Sequence, residues 1–270
     1  MKKELWWGPE DPRLFRALSN EIFFIATLME GQPNFNRQIN LYRFSTATHR
    51  KLELQEHTGK TWRVEKNWSP LIIDSVHLYF LYKYEDTQVI DCTEEHLPCK
   101  RQFGSDKGSS RTFGSTPYIR FLNTNYFVSF AQTKYDFIKP HHRPALSIIE
   151  ALEGGEFKII YTSEPLNFPS TLLANPKWIN TKFSKNDMRR IMMVTSIANW
   201  DFQSGIADLT VSLDDEIAVA VKVDGLTDFV QYVINVYEYA RLPDESSCAD
   251  KLGEEYFRSL PQGVFIDNNS

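Results

Sequence analysis

Residues 69–84 read SPLIIDSVHLYFLYKY. A proline corner opens an apolar run, the polar DSVH interrupts it, and a second run of aromatic and aliphatic residues follows. Two short apolar runs around an Asp/Ser-bearing turn predict a β-hairpin. The same grammar recurs three times. Asp11-Pro12 precedes RLFRALSNEIFFIATL, Thr116-Pro117 precedes YIRFLNTNYFVSFAQT, and Ser204-Gly205 precedes IADLTVSLDDEIAVAV. The second runs are almost continuously apolar, as expected of strands covered on both faces.

The corners at Pro12, Pro70, Pro117 and Gly205 lie 58, 47 and 88 residues apart. A repeat of about 40–50 residues, each unit four strands, is the signature of a β-propeller blade. The 88-residue interval exceeds one blade and holds extra strand signals in PALSIIEALEGGEFKIIYTS, then a long connection over residues 164–190. The reading is an all-β, five-bladed propeller with one degenerate or incomplete blade, forming a single domain over 1–270. Few residues precede the first corner, so the first blade is expected to be truncated or closed by C-terminal strands. A β-sandwich of similar strand count gives no reason for four matching corners. Helical period is credible only at 227–242, which could equally be a closing strand, and in SKNDMRRIM.

Composition narrows the partners. The chain has 270 residues, 42% hydrophobic and 24% charged, with 30 Lys and Arg against 35 Asp and Glu. A net charge of -5 leaves no basic excess for a nucleic-acid backbone. No stretch is long and apolar enough to span a membrane, and the start MKKELWWGPEDPR has no secretory apolar region. Cys92, Cys99 and Cys248 are an odd, sparse set that argues against a disulfide scaffold, so a cytoplasmic location is expected. No metal or other cofactor is implied. Asn67-Trp68-Ser69 matches a glycosylation sequon that would be silent in the cytosol.

Each corner carries polar residues that a propeller would gather around its central channel. They are Glu10-Asp11-Pro12-Arg13, Glu65-Lys66-Asn67-Trp68-Ser69-Pro70, Arg111 to Pro117, and Trp200-Asp201-Phe202-Gln203-Ser204-Gly205. Spatially equivalent corners would face Asp11, Glu65, Lys66, Arg111 and Gln203 into one pit, a site for a polar or anionic ligand. The plainer alternative is that these are turn and capping residues. Aromatic content of 14% suits both a strand-rich core and sugar stacking, for which Trp68, Trp200, Tyr135 and Phe113 are candidates.

The E-D-P-R and E-K-N-W-S-P motifs together resemble the five-bladed propeller family of β-mannoside phosphorylases and β-1,2-mannosidases, and the related β-1,2-mannosyltransferases, over roughly residues 8–222. The resemblance implies an enzyme that makes or breaks β-mannosidic bonds with inversion, using Asp11 as general acid/base. It implies mannose-containing oligosaccharides with phosphate or a nucleotide-sugar as partners, held by Arg13, Lys66, Asn67 and Arg111, with His141, His142 and Arg143 as weaker candidates. Hydrolysis would need a second carboxylate, for which Glu65 and Asp215 are available; phosphorolysis or transfer needs a cationic cradle. The cations at the corners favour a phosphorylase or transferase. A non-catalytic propeller binding glycan or protein is the alternative of a different class.

Overall fold

The computed structural model describes residues 10–17, 20–30, 36–55, 67–84, 86–93, 97–103, 111–136, 140–166, 168–174 and 189–241. The chain divides into two compact units. One holds residues 1–166 and 190–196, the other 167–189 and 197–270.

Four antiparallel sheets follow one another along the chain, as a succession of propeller blades would. Sheet 1 is β1 (Glu10–Arg16), β2 (Ile22–Glu30), β3 (Asn36–Arg43) and β4 (Thr48–Leu52), in that order. Its four strands are consecutive in the chain. Sheet 2 is β5 (Ser69–Leu71), β6 (Tyr79–Lys83), β7 (Gln88–Asp91) and β8 (Lys100–Phe103). Sheet 3 is built from β9 (Thr112–Gly114), β10 (Ile119–Arg120), β11 (Tyr126–Asp136), β12 (Pro140–Ala151) and β13 (Phe157–Thr162). The expected extra strands are therefore the outer half of sheet 3. Sheet 4 has three strands, β14 (Met192–Asp201), β15 (Ile206–Leu213) and β16 (Ile217–Val223). Against the five expected blades, four sheets occur among the described residues.

Within the first unit, side-chain parity explains the continuous apolar runs. Phe80 and Ile90 enter one buried cluster with Phe15, Phe23, Ile39 and Trp68 of the neighbouring segments. Tyr79, Leu81 and Val89, one residue out of phase, enter a second cluster with Tyr118, Phe127, Ile149 and Phe157. Sheet 2 thus packs on sheet 1 through one face and on sheet 3 through the other, and alternate residues of β6 are apolar for different neighbours. Trp68 is fully buried, in ring contact with Phe80 and Tyr82, so it wedges the sheets apart and is unavailable for sugar stacking.

In the second unit, β15 alternates strictly, with Ala207, Leu209, Val211 and Leu213 buried. α1 (Ser170–Leu173) is one turn long; α2 (Leu226–Tyr239) is the segment whose period left helix and strand open, and it is a helix. It buries Leu226, Val230 and Ile234, one stripe at four-residue spacing, and lies against β15. In the SKNDMRRIM stretch, residues 184–188 lie outside the described residues.

Cys92 and Cys99 form a disulfide across the β7–β8 connection, with Cα atoms 4.4 Å apart. The sequence reading expected no disulfide scaffold, and this one bond was not foreseen: seven residues of sequence separation return the chain to the same place because the two strands are antiparallel neighbours. No helix among the described residues is long and apolar enough to cross a membrane.

Two outcomes are expected. Gly114 sits where an added Cβ would meet Ser69 Oγ and, at 2.5 Å, the backbone carbonyl of Asn67. Gly114→Ala is expected to lose about 1–3 kcal/mol in urea denaturation, because backbone cannot yield as a flexible side chain would. Burial, aided by Asp91 and Asp74, pushes the Tyr79 phenol up to about 12, and burial also raises Tyr84 and Tyr118. The stability supplied by neutral phenols is complete below the ordinary tyrosine value and is lost as pH rises through the folded one. Denaturation midpoints should therefore fall between roughly pH 10 and 12.

Candidate functional site

The E-D-P-R motif is a β-bulge. Glu10 pairs with Thr27 and Arg13 with Ile25, so β1 carries one more residue than β2 over this span. Pro12, which has no amide to donate, occupies the irregular stretch. Asp11 takes a left-handed φ of 50°, and Asn67 at the second corner takes 63°. Asp and Asn tolerate that region best among non-glycine residues, and such strain concentrates at functional positions.

The bulge turns Arg13 inward. Its side chain is 5% exposed and makes four hydrogen bonds. Nε donates to Ser115 O at 2.6 Å, Nη1 to Asp11 O at 3.2 Å, and Nη2 to Gly114 O at 2.9 Å and Asn67 Oδ1 at 3.4 Å. Ser115 Oγ in turn donates to Val194 O of β14. One guanidinium therefore ties the first three corners together, with a fourth segment one bond away. Burial depresses its pKa; the Asp11 carboxylate and the Tyr84 hydroxyl work the other way. Tyr84 contacts Ser69 Oγ at 3.5 Å, and Tyr118 OH lies 3.0 Å from Ser147 Oγ, so the guanidinium borders a buried hydroxyl network between sheets 2 and 3.

This placement corrects the expectation that Arg13 holds phosphate. Four of its five N–H groups are committed to protein oxygens in a buried position, so it builds the corner rather than receiving a ligand. Asn67 is likewise buried, its side-chain oxygen on Arg13. Asp11 is half-buried, its backbone carbonyl tied to Arg13. Glu65 and Lys66 lie outside the described residues, as do Trp6 and Trp7.

Arg111 and His142 meet through sheet 3. Arg111 precedes β9 and its carbonyl accepts from Lys134 N at 2.8 Å; Lys134 is the cross-strand partner of His142. His142 N donates to Arg190 O at 2.7 Å, and Arg143 Nη1 to the same carbonyl at 3.0 Å. Strand register thus sets Arg111, Lys134 and His142 in one transverse row, while the bridge partner of His142 on the next segment is Ile191. Adjacent strands are about 4.8 Å apart, so the three span on the order of 10 Å. The row starts three residues from Gly114, whose carbonyl accepts from Arg13. Lys134 escaped the sequence reading because only strand register sets it beside Arg111 and His142.

Gln203 lies in the second unit, exposed in the β14–β15 turn, its amide donating to Asp201 Oδ1 at 2.9 Å. Hydrogen bonds from Ser204 and Gln203 hold the Asp201 carboxyl below its usual range. Asp214 and Asp215 both have positive φ, 53° and 57°, in the β15–β16 turn. That conformation suits the tight hairpin turn they occupy. Trp200 donates to Thr227 Oγ1 at 3.0 Å and packs on Phe202. Tyr135 and Phe113 are half-buried on β11 and β9. No group of metal-binding side chains occurs among the described residues.

No family model matches the chain. It is similar to proteins named Beta-mannosyltransferase 1 from two strains of the yeast Komagataella phaffii, 25% identical over 94% of this chain. The chain spans 42% of the length of those curated relatives. A solved α-L-arabinanase from Cellvibrio cellulosa resembles it at a TM-score of 0.40 and 10% identity, over 79% of this chain and 72% of that one.

Arg13→Met would leave the carbonyls of Gly114 and Ser115 without their donor. A loss of about 3 kcal/mol or more is expected in urea denaturation, with Arg13→Lys intermediate because an ammonium cannot reproduce the fork.

Proposed function

We propose that the chain is a carbohydrate-active enzyme that makes or breaks a β-mannosidic bond with inversion, Asp11 being its general acid/base. The observation that carries this reading is the conformation of Asp11: an aspartate in a left-handed bulge, half-exposed, its carbonyl tied to a buried arginine. The similarity to mannosyltransferases over nearly the whole chain supports the sugar class.

In the proposed step the Asp11 carboxylic acid donates its proton to the glycosidic oxygen as the bond from C1 to that oxygen breaks. An oxygen of an anionic nucleophile attacks C1 from the opposite face, giving the inverted product, and Asp11 is left as carboxylate. Run in reverse, the carboxylate takes the acceptor proton while the anionic group departs from C1. Either direction needs a cationic cradle, and the row of Arg111, Lys134 and His142 supplies the donors for one. Arg13 acts through Asp11 as a positioning residue. This division favours a phosphorylase or a transferase using a nucleotide-sugar over a hydrolase, since Asp215 belongs to a turn. The five-bladed architecture stays with the resemblance, beside the four sheets among the described residues. The Cys92–Cys99 bond supports an oxidising compartment in place of the cytoplasm.

Asp11→Asn is expected to lower turnover of a mannosyl donor by at least about a hundredfold while the melting temperature is kept, measured with mannose 1-phosphate, GDP-mannose and β-mannosides in parallel. Product formed only with inorganic phosphate identifies a phosphorylase. Full turnover by Asp11→Asn, or none by the wild-type protein on any of these donors, rejects the assignment.

A further inference from the structure

The corners occupy the starts of β1 and β5. At the far ends of the same strands lies a separate crevice of about 300 Å³, framed by the β1–β2 and β5–β6 turns of sheets 1 and 2. Asp11 and Ala17 are six residues apart along an extended strand, so the crevice stands roughly 20 Å from the corner. Its chemistry is specific. Phe23 lies buried at its base, its ring stacked on Phe15, with the Arg43 guanidinium 5.3 Å from the ring centroid. Arg43 pairs with Glu21 at 3.2 Å, Asp74 with His77 Nδ1 at 2.7 Å, and Arg50 donates to Cys92 O at 3.0 Å. Asp74 also accepts from the amides of Val76 and His77, which fixes the turn.

We propose that this crevice is a binding site for a neutral saccharide, distinct from the Asp11 corner. Two guanidiniums and two carboxylates balance, which disfavours a phosphate or sulfate and leaves both donors and acceptors for vicinal hydroxyls. Each charged side chain is already held by a partner while remaining about one quarter to two fifths exposed in the two ion pairs. A hydroxylated ring therefore meets preset groups, with little side-chain ordering on binding. The volume lies at the lower edge of the small-molecule range and suits one or two pyranose units. The site needs no turnover, so its fate is separable from that of the mannosyl-transfer reading.

The test is an amide chemical-shift titration of the intact protein with mannose, β-linked mannobiose, glucose and, as a control, inorganic phosphate. Saturable shifts are expected at residues 21–23 and 74–78 with at least one saccharide, with a Kd on the order of 1 mM. They should persist in Asp11→Asn. They should vanish in Ser75→Trp, which fills the exposed rim, and weaken at least about tenfold in Arg50→Ala. A melting curve identifies a poorly folded Ser75→Trp protein, and Arg50→Ala then carries the comparison. Absence of shifts with every saccharide, equal shifts with inorganic phosphate, or shifts unchanged by Arg50→Ala overturns the proposal.

Discussion

A buried guanidinium holds the first unit together at its corners. Arg13 reaches oxygens 54, 101 and 102 residues away in sequence, and three of its four acceptors are backbone carbonyls or a neighbouring amide from other sheets. Removing a guanidinium from water is costly, and only a full set of acceptors offsets it. The surrounding features follow from that demand. The bulge at Glu10–Arg13 aims the side chain inward, the left-handed Asn67 offers its amide oxygen, and Gly114 lets the third corner approach without a Cβ. Asp11, two residues away and half-exposed, inherits a fixed backbone from the same interaction.

The hairpins were legible because each depends on local chemistry: an apolar run, an Asn/Asp turn, another apolar run. Helix α2 was half-legible, since its apolar stripe at Leu226, Val230 and Ile234 also fits an irregular strand until the neighbouring β15 supplies a face to cover. Arg13 was misread for a reason that generalises. A cation at a strand start looks like a rim residue, and its burial is decided by segments far along the chain. The disulfide was missed likewise: seven residues between Cys92 and Cys99 say nothing until β7 and β8 are known to be antiparallel.

The basic row shows the limit of reading sites from motifs. Arg111 was visible because it borders a corner, and His142 because it sits in PHHRP. Lys134 stands in an unremarkable stretch, YFVSFAQTKYD, and only the β11–β12 register sets it against His142. The two ends of the same strands also differ in charge logic. The Arg111–Lys134–His142 row gathers basic residue types, whereas the crevice framed by the β1–β2 and β5–β6 turns pairs basic with acidic ones.

The inner strands β6 and β7 of sheet 2 are covered on both sides: Phe80 and Ile90 look one way, Tyr79, Leu81 and Val89 the other. Such a layer cannot be terminal. A shortened polypeptide ending before sheet 3 would leave Tyr79, Leu81 and Val89 as an uncovered wall and would tend to self-associate. The polypeptide therefore tolerates shortening in whole blades only where the newly outermost one carries polar residues on its outer side, and this layer does not.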